Sequence, residues 1–329
     1  MAVNRIVVVG CGSIGQRHAR LLARRPGIRI ELCDTNADCV AEAITTIGER
    51  KCFNGFSDVV ESRPDAVVIA TPHAQHADQV IEALKAGIHV LCEKPMSDTL
   101  ADAQRMVDAA RRSPCILDFG FTLHFHPGLN RLKEIIVSGE LGNIVHINCR
   151  VGTYATLTSS RTQHQAGLKG ALLFDYVHQP DVIYWLTKVE PTGVYMSAAL
   201  AGELPLRSNP NVADILLDYD VSLRASIHLN YVQAPQRHEY EVAGDRGWAI
   251  LDMEANLLRI GHRDDAKVIT EQFEVVRDQL FVAEHQTFLD AVEKRRAPES
   301  PVETAIVSMR VVDAAMRSWQ SGTRQLVRC

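Results

Sequence analysis

An α/β domain on a parallel sheet, followed by an α+β domain with a large, mostly antiparallel open sheet, is the fold class that this 329-residue sequence predicts. Three observations carry the prediction. The first ~120 residues alternate short apolar runs with amphipathic stretches at the spacing of β-α-β units. A glycine cluster, Gly10-Cys11-Gly12-Ser13-Ile14-Gly15, stands between the first apolar run and the first amphipathic stretch. Beyond Gly120–Pro127, strand-like runs follow one another with only short turns between them, the pattern of an antiparallel sheet. The expected domains are 1–122 and 123–329.

In the first domain, strands are expected at Arg5–Gly10, Ile28–Cys33, Ala66–Ala70, His89–Cys92 and Cys115–Phe119. Each is a short continuous apolar run, as in a parallel sheet covered on both faces. Helices are expected between them at Ile14–Arg24, Ala37–Ile47, Ala74–Ala86 and Leu100–Arg111. In the second domain a helix at Gly128–Ser138 precedes Gly142 and a strand through Val151. A polar stretch, Ala155–Lys169, leads to one helix at Ala171–Leu186. Strand-like runs then follow at Thr192–Leu200, Ala213–Tyr219, Ser222–Tyr231, Glu239–Ala243, Trp248–Met253, Leu257–Ile260 and Val268–Phe273, and helices at Leu280–Arg295 and Val302–Trp319 close the chain. Apolar residues occupy both parities of Ser222–Tyr231 and Trp248–Met253. A sheet apolar on both faces calls for a covering layer, so a homodimer or homotetramer through this sheet is expected.

Composition narrows the function classes. A hydrophobic share of 46% suits sizeable cores, and a formal net charge of −5 without a long basic run argues against a nucleic-acid partner. No apolar stretch is long enough to cross a membrane, and Met1–Arg5 lead straight into a strand without a secretory leader. The eight cysteines form no Cys-x-x-Cys pair and lie mostly in apolar runs, which suits a reducing cytoplasm. Cys11 is expected to pack inside the glycine loop.

The glycine cluster is the strongest chemical signal. Gly10 permits the tight turn out of the strand, Gly12 lets backbone approach a pyrophosphate, and Gly15 lets the following helix lie against the strand with its N-terminus toward the phosphates. With a strand before it, a helix after it and an acid, Asp34, ending the second strand, the motif predicts a dinucleotide-binding (Rossmann) domain in which Gly10, Gly12, Ser13, Ile14 and Gly15 line the cofactor. Asp34 accepts from adenosine ribose hydroxyls and repels a 2′-phosphate, and Thr35, Asn36 and Ala37 offer no arginine to hold one, so NAD is favoured over NADP. Asp34 can equally cap the helix that starts near Asn36.

Further candidates sit at strand ends, where open α/β sheets bind ligands. Glu93-Lys94-Pro95 follows the fourth strand. There Lys94 can polarise a substrate hydroxyl and Glu93 can bond a nicotinamide ribose, although most lysines are solvated surface groups. Thr71-Pro72-His73, with His76 at the start of the next helix, reads as a cofactor border or as a plain turn. Asp175, His178 and Asp181 stand at i, i+3 and i+6 in an apolar stretch and share one face of the expected helix. A carboxylate beside an imidazole fixes its tautomer and suits it to general-base work; a satisfied polar patch is the other reading. No set of clustered metal ligands is visible, and no metal is expected. Arg161, Gln163 and His164 are placed to select substrate.

Taken together, Gly10–Gly15, Cys33-Asp34, Ala70-Thr71-Pro72 with His76, Glu93-Lys94-Pro95, Gly120-Phe121, His126-Pro127, Ser138-Gly139-Glu140-Leu141-Gly142 and the Asp175/His178/Asp181 segment resemble the glucose–fructose oxidoreductase / inositol dehydrogenase / rhizopine-catabolism (Gfo/Idh/MocA) family over nearly the whole chain. The resemblance implies NAD(P)-dependent oxidation or reduction of sugars, polyols or sugar acids. By that resemblance Lys94 positions and polarises the hydroxyl, His178 removes its proton and Asp175 orients His178. Asp175-Tyr176-Val177-His178 is one residue shorter than the family's usual Asp-x-x-x-His, and Leu123-His124 replaces its aromatic-then-arginine. The differences fall on the substrate side, where His124, Arg161 and Asp181 are expected to contribute. An NAD-retaining glycosidase on the same scaffold and a non-catalytic sugar or NAD sensor are the competing functions. Net NADH formation separates the first, and the presence of Lys94 with His178 argues against the second.

Overall fold

A computed structural model of the chain describes residues 3–159, 170–204 and 208–327. Two compact units result: Met1–Thr122 with Val276–Met309, and Leu123–Val275 with Arg310–Cys329.

The first unit is built on β1 (Arg5–Val9), α1 (Ser13–Leu22), β2 (Arg29–Cys33), α2 (Ala37–Ile47), β3 (Cys52–Phe53), α3 (Phe56–Glu61), β4 (Ala66–Ile69), α4 (His76–Lys85), β5 (His89–Glu93), α5 (Leu100–Ala110) and β6 (Leu117–Gly120). Every strand pair is parallel, in the order β3-β2-β1-β4-β5-β6. The α/β expectation therefore holds, with β3 and α3 added. A two-residue strand has no periodicity to read. The order reverses between β1 and β4, and such a switch point opens a crevice at the strands' C-terminal ends. The helix Arg277–Lys294 returns to this unit because its apolar side completes the core: Phe288, Leu289 and Val292 join Val8, Leu22, Leu32 and Val68. Burying each such side chain contributes about 1.5–3 kcal/mol.

The second unit holds α6 (Pro127–Val137), β7 (Ile144–Gly152), α7 (Ala155–Ser159), α8 (Ala171–Asp175), α9 (His178–Thr187), β8 (Gly193–Ala199), β9 (Val212–Asp218), β10 (Arg224–Asn230), β11 (Arg237–Gly244), β12 (Gly247–Asp252), β13 (Leu257–His262), β14 (Asp265–Gln272) and the short β15 (Gln325–Leu326). The returning helix Arg277–Lys294 is α10, and α11 spans Val302–Ser321. Nine strands form one sheet in the order β14-β13-β12-β11-β7-β10-β9-β8-β15. It is antiparallel except where β7, inserted between β10 and β11, runs parallel to β10. Ile147, Cys149 and Val151 of β7 and Ala225, Ile227 and Leu229 of β10 are buried on one face. Alternation is stricter than the sequence suggested. The other face of β10 carries Arg224, Ser226 and His228, and that face turns apolar at Tyr195 of β8, at Leu216 of β9 and around Trp248 and Ile250 of β12.

The expected single helix at Ala171–Leu186 is two. Helix α8 ends at Asp175, Tyr176 leaves helical geometry (φ −101°, ψ 27°), and α9 starts at His178. Asp175 and His178 thus stand on opposite sides of a break, and the shared-face argument from i, i+3 spacing does not apply to them.

Candidate active site

The glycine loop is shaped by the space around each glycine. Gly10 has φ +91°, and a Cβ on it would lie 2.6 Å from the Ala70 carbonyl carbon and oxygen at the end of β4. A Cβ on Gly15 would stand 1.7 Å from the Gly10 carbonyl oxygen, so α1 can approach β1 only because this residue has none. At Gly12 a Cβ would meet nothing within 4 Å. That open flank lies at the N-terminus of α1, which has no side-chain cap and no acidic residue in its first turn. Ser13 is exposed there and Ile14 half-buried. Free N–H groups, a positive helix end and open space fit a pyrophosphate.

Asp34 closes the other side of the loop. Its carboxylate accepts the N–H of Cys11 at 2.6 Å and that of Asn36 at 2.8 Å. A carboxylate offers about four acceptor sites, so capacity remains for ribose hydroxyls. The cap of α2 is Asn36 itself, whose side chain accepts from the Asp38 N–H. Cys11 is packed, as expected: burial first, then Asp34, pushes its thiol up to about 12, which leaves it unreactive.

The β4 and β5 loops are tied together. Fully buried His76 lies between two carbonyl oxygens, Nε2 2.8 Å from that of Thr71 and Nδ1 2.9 Å from that of Pro95; burial holds its pKa below the ordinary value, and the neutral ring donates its one N–H to either of them. The sequence placed His76 at the cofactor; the structure makes it the strap between the two candidate loops. Thr71 donates to Gln79 (2.7 Å), exposed Pro72 caps the turn at His73–Gln75, and His73 is half-buried. Lys94, also half-buried, precedes a cis Pro95, and its N–H donates to Glu93 Oε2 at 3.2 Å.

Behind that turn lies a cluster that sequence reasoning missed. His18 Nε2 is 2.8 Å from Glu93 Oε1, and His18 Nδ1 is 2.7 Å from His285 Nε2. Glu284 is only 1% exposed, and neither of its oxygens has a hydrogen-bond partner among the described residues. Ligand atoms of His18, Glu284 and His285 lie within 4.8 Å of one another, the spacing of a candidate metal set. A histidine on the apolar stripe of α1 was the only sequence signal, because its partner is 267 residues away. Burial alone would raise the Glu93 pKa, but the bond and charge of His18, with Lys94, hold it below the ordinary value. Burial, then the charges of Glu93 and Asp118, pushes Glu284 well above it, which favours the neutral form. A carboxyl raised on folding adds stability that is complete below its unfolded value near 4.5 and is lost as pH rises toward the folded one. The melting temperature should therefore fall with rising pH across that window, and Glu284→Gln should flatten the slope; an unchanged slope in thermal melts would show Glu284 to be ionised.

In the second unit, His124 Nε2 pairs with Asp181 at 2.8 Å, both buried, and the His124 ring stacks on Trp185 at 4.7 Å. These two expected substrate residues therefore meet in the interior, with Asp181 in the first turn of α9. His178 opens α9, half-buried. Asp175 accepts a hydrogen bond from the Tyr231 hydroxyl, a partner absent from the sequence reading. Desolvation and Asp175 both raise the Tyr231 pKa, so the phenol remains a donor. Arg161, Gln163 and His164 lie outside the described residues.

Comparison with known proteins bears on the family and the fold. Residues 4–121 match the family described as "Oxidoreductase family, NAD-binding Rossmann fold", and residues 129–250 match the "GFO/IDH/MocA C-terminal domain". Inositol 2-dehydrogenase of Salmonella paratyphi B is 26% identical over 97% of this chain and 95% of its own. The crystal structure of myo-inositol 2-dehydrogenase from Lactobacillus plantarum superposes with a TM-score of 0.84 at 21% identity, covering 98% of this chain and 99% of that one. Levoglucosan dehydrogenase, in complex with NADH and levoglucosan, superposes with a TM-score of 0.88 at 17% identity, covering 99% of each. With a glycine loop open for a pyrophosphate, a Glu-Lys-Pro turn strapped beside it and both of the family's domains matched, the chain belongs to the Gfo/Idh/MocA oxidoreductases.

Proposed function

We propose that the chain is an NAD-dependent dehydrogenase of a sugar, polyol or sugar acid. The observation that carries this reading is Lys94, held on the β5 turn that His76 straps to the Thr71 loop, beside the switch point where the glycine loop opens. When bound, NAD⁺ supplies the hydride acceptor at its nicotinamide C4. Lys94 donates to the substrate hydroxyl oxygen and stabilises the developing alkoxide, and His178 receives the hydroxyl proton. Asp175, bonded to Tyr231, has the role of orienting His178. Relatives named inositol 2-dehydrogenase, and a structural neighbour holding levoglucosan, support this substrate class. A screen of myo-inositol, levoglucosan, hexoses and sugar acids by NADH absorbance tests it. Stoichiometric NADH formation with at least one is expected. Substrate turnover without NADH accumulation would instead identify the glycosidase.

Asp34 sets the cofactor preference. A carboxylate there adds like-charge repulsion against a 2′-phosphate, equivalent to roughly 100-fold in kcat/KM. The expected order is NAD⁺ over NADP⁺ by about that factor, with Asp34→Ser narrowing the gap; an NADP⁺ preference in the wild type would remove the assignment. The open face of the nine-stranded sheet is proposed to pair with a second copy. It carries paired polar groups, such as Asn148–Ser226 (2.7 Å) and His228–Asp214 (2.7 Å), beside exposed Leu216 and Tyr195. Light scattering at micromolar concentration should give a dimer or tetramer of the 36.4 kDa chain, and a monomer mass would refute the pairing. A reducing cytoplasm is proposed as the compartment, in keeping with cysteines that form no disulfide among the described residues.

A further inference from the structure

The cluster around Glu93 has no part in the hydride and proton steps above, yet its hydrogen bonds have a direction. An ionised carboxylate only accepts, so His18 Nε2 carries the proton of the 2.8 Å bond to Glu93 Oε1. His18 Nδ1 and His285 Nε2, 2.7 Å apart, cannot face each other as two bare lone pairs, so a proton lies between them. Burial, then His18, keeps His285 neutral. The second oxygen of Glu93 accepts the peptide N–H of Lys94. Gly120 closes the remaining side: a Cβ there would stand 3.0 Å from the Glu93 carboxyl carbon. An unbroken line of hydrogen bonds therefore runs from α10 through α1 to the peptide of Lys94.

We infer that His18 is a positioning residue of the dehydrogenase: it clamps the Glu93 carboxylate so that the turn after β5 presents Lys94 in one orientation, with His285 behind it keeping His18 directed at Glu93. The inference rests on the assignment of Lys94 to the reaction. Without His18 the buried carboxylate loses its side-chain donor, and the turn that it anchors through the Lys94 N–H loses its fixed geometry.

The test uses the full chain with NAD⁺ and myo-inositol, or the fastest substrate of the screen where that is another. His18→Leu should lower kcat at neutral pH by about 10-fold or more, the weight of a hydrogen bond to a charged group. It should leave the KM for NAD⁺ within about 3-fold, because the elements proposed to hold the cofactor lie outside the clamp. His18→Gln, which keeps an N–H donor, should recover most of the rate. If His18→Leu does not fold, His285→Leu takes its place, with a smaller loss of kcat expected. Wild-type kcat in a folded His18→Leu, or a loss shared equally by the Gln variant, would overturn the inference. So would stoichiometric zinc in the purified protein that is lost in His285→Leu, because the cation would replace the shared proton. Lys94→Ala in the same assay keeps the two readings apart: activity there sinks the assignment of Lys94, whereas an inactive Lys94→Ala beside a fully active His18→Leu sinks only the clamp.

Discussion

Replacing Lys94 by alanine is expected to lower turnover about 10²- to 10⁴-fold, the range for losing a positioned acid–base group, while leaving NAD⁺ affinity close to wild type. The separation follows from where the binding elements lie. In the proposed reading the Gly10–Gly15 loop and the N-terminus of α1 hold the pyrophosphate and Asp34 holds the ribose, and none of these depends on the lysine side chain. The turn itself should survive, because its supports are the bond from the Lys94 N–H to Glu93 and the strap from His76 to the Pro95 carbonyl. Alanine keeps that N–H. Lys94→Arg is the sharper control. It retains the charge, but its planar fork does not match a point donor aimed at one oxygen. An arginine variant near wild-type activity would mean that only the positive charge matters. An alanine variant with undiminished turnover, measured as NADH formation at saturating NAD⁺, would remove Lys94 from the chemistry altogether.

The sequence made the first unit readable because its signals are local. Continuous apolar runs such as Ile6–Val9 and Ala66–Ile69 can only be strands buried on both faces, and Gly10, Gly12 and Gly15 each announce a backbone requirement through the absence of a side chain. What stayed hidden depends on distant partners. The apolar face of α10 reads as amphipathic whichever unit it joins, so nothing local directs Phe288 and Leu289 to the core of residues 1–122. Insertion of β7 between β10 and β11 is likewise invisible, since a strand's periodicity does not reveal its neighbours. At Tyr176 the apolar pattern continues unbroken while the backbone leaves the helix, so spacing placed Asp175 and His178 on one face when they stand on two helices. The same limit applies to His124 and Asp181. As types they suggest substrate contacts, but their burial and mutual bond appear only once the chain is folded.

Gly12 and Gly15 offer the clearest separation of cofactor binding from folding, because the same substitution should act on different properties three residues apart. At Gly15 an alanine Cβ would sit 1.7 Å from the Gly10 carbonyl oxygen, a backbone atom that cannot rotate away. The clash can be relieved only by moving α1 off β1, which disturbs the contacts of Ala19 and Leu22 with the core. Overpacking of this severity costs about 3 kcal/mol or more, enough to lower the melting temperature by several degrees and to displace the loop that holds the pyrophosphate. Gly12→Ala should behave differently. Its backbone, at φ −68° and ψ −172°, is open to any L-residue, and the added methyl meets no protein atom within 4 Å. Stability should therefore change by no more than about 0.5 kcal/mol. The methyl would instead occupy the space that the pyrophosphate needs, so NAD⁺ should bind at least about 10-fold more weakly, a loss of about 1.4 kcal/mol. Thermal melts with and without 1 mM NAD⁺ would read both effects, since ligand stabilisation scales with affinity. A Gly12→Ala protein that melts like wild type and is stabilised equally by NAD⁺ would place the pyrophosphate somewhere other than the flank of this loop.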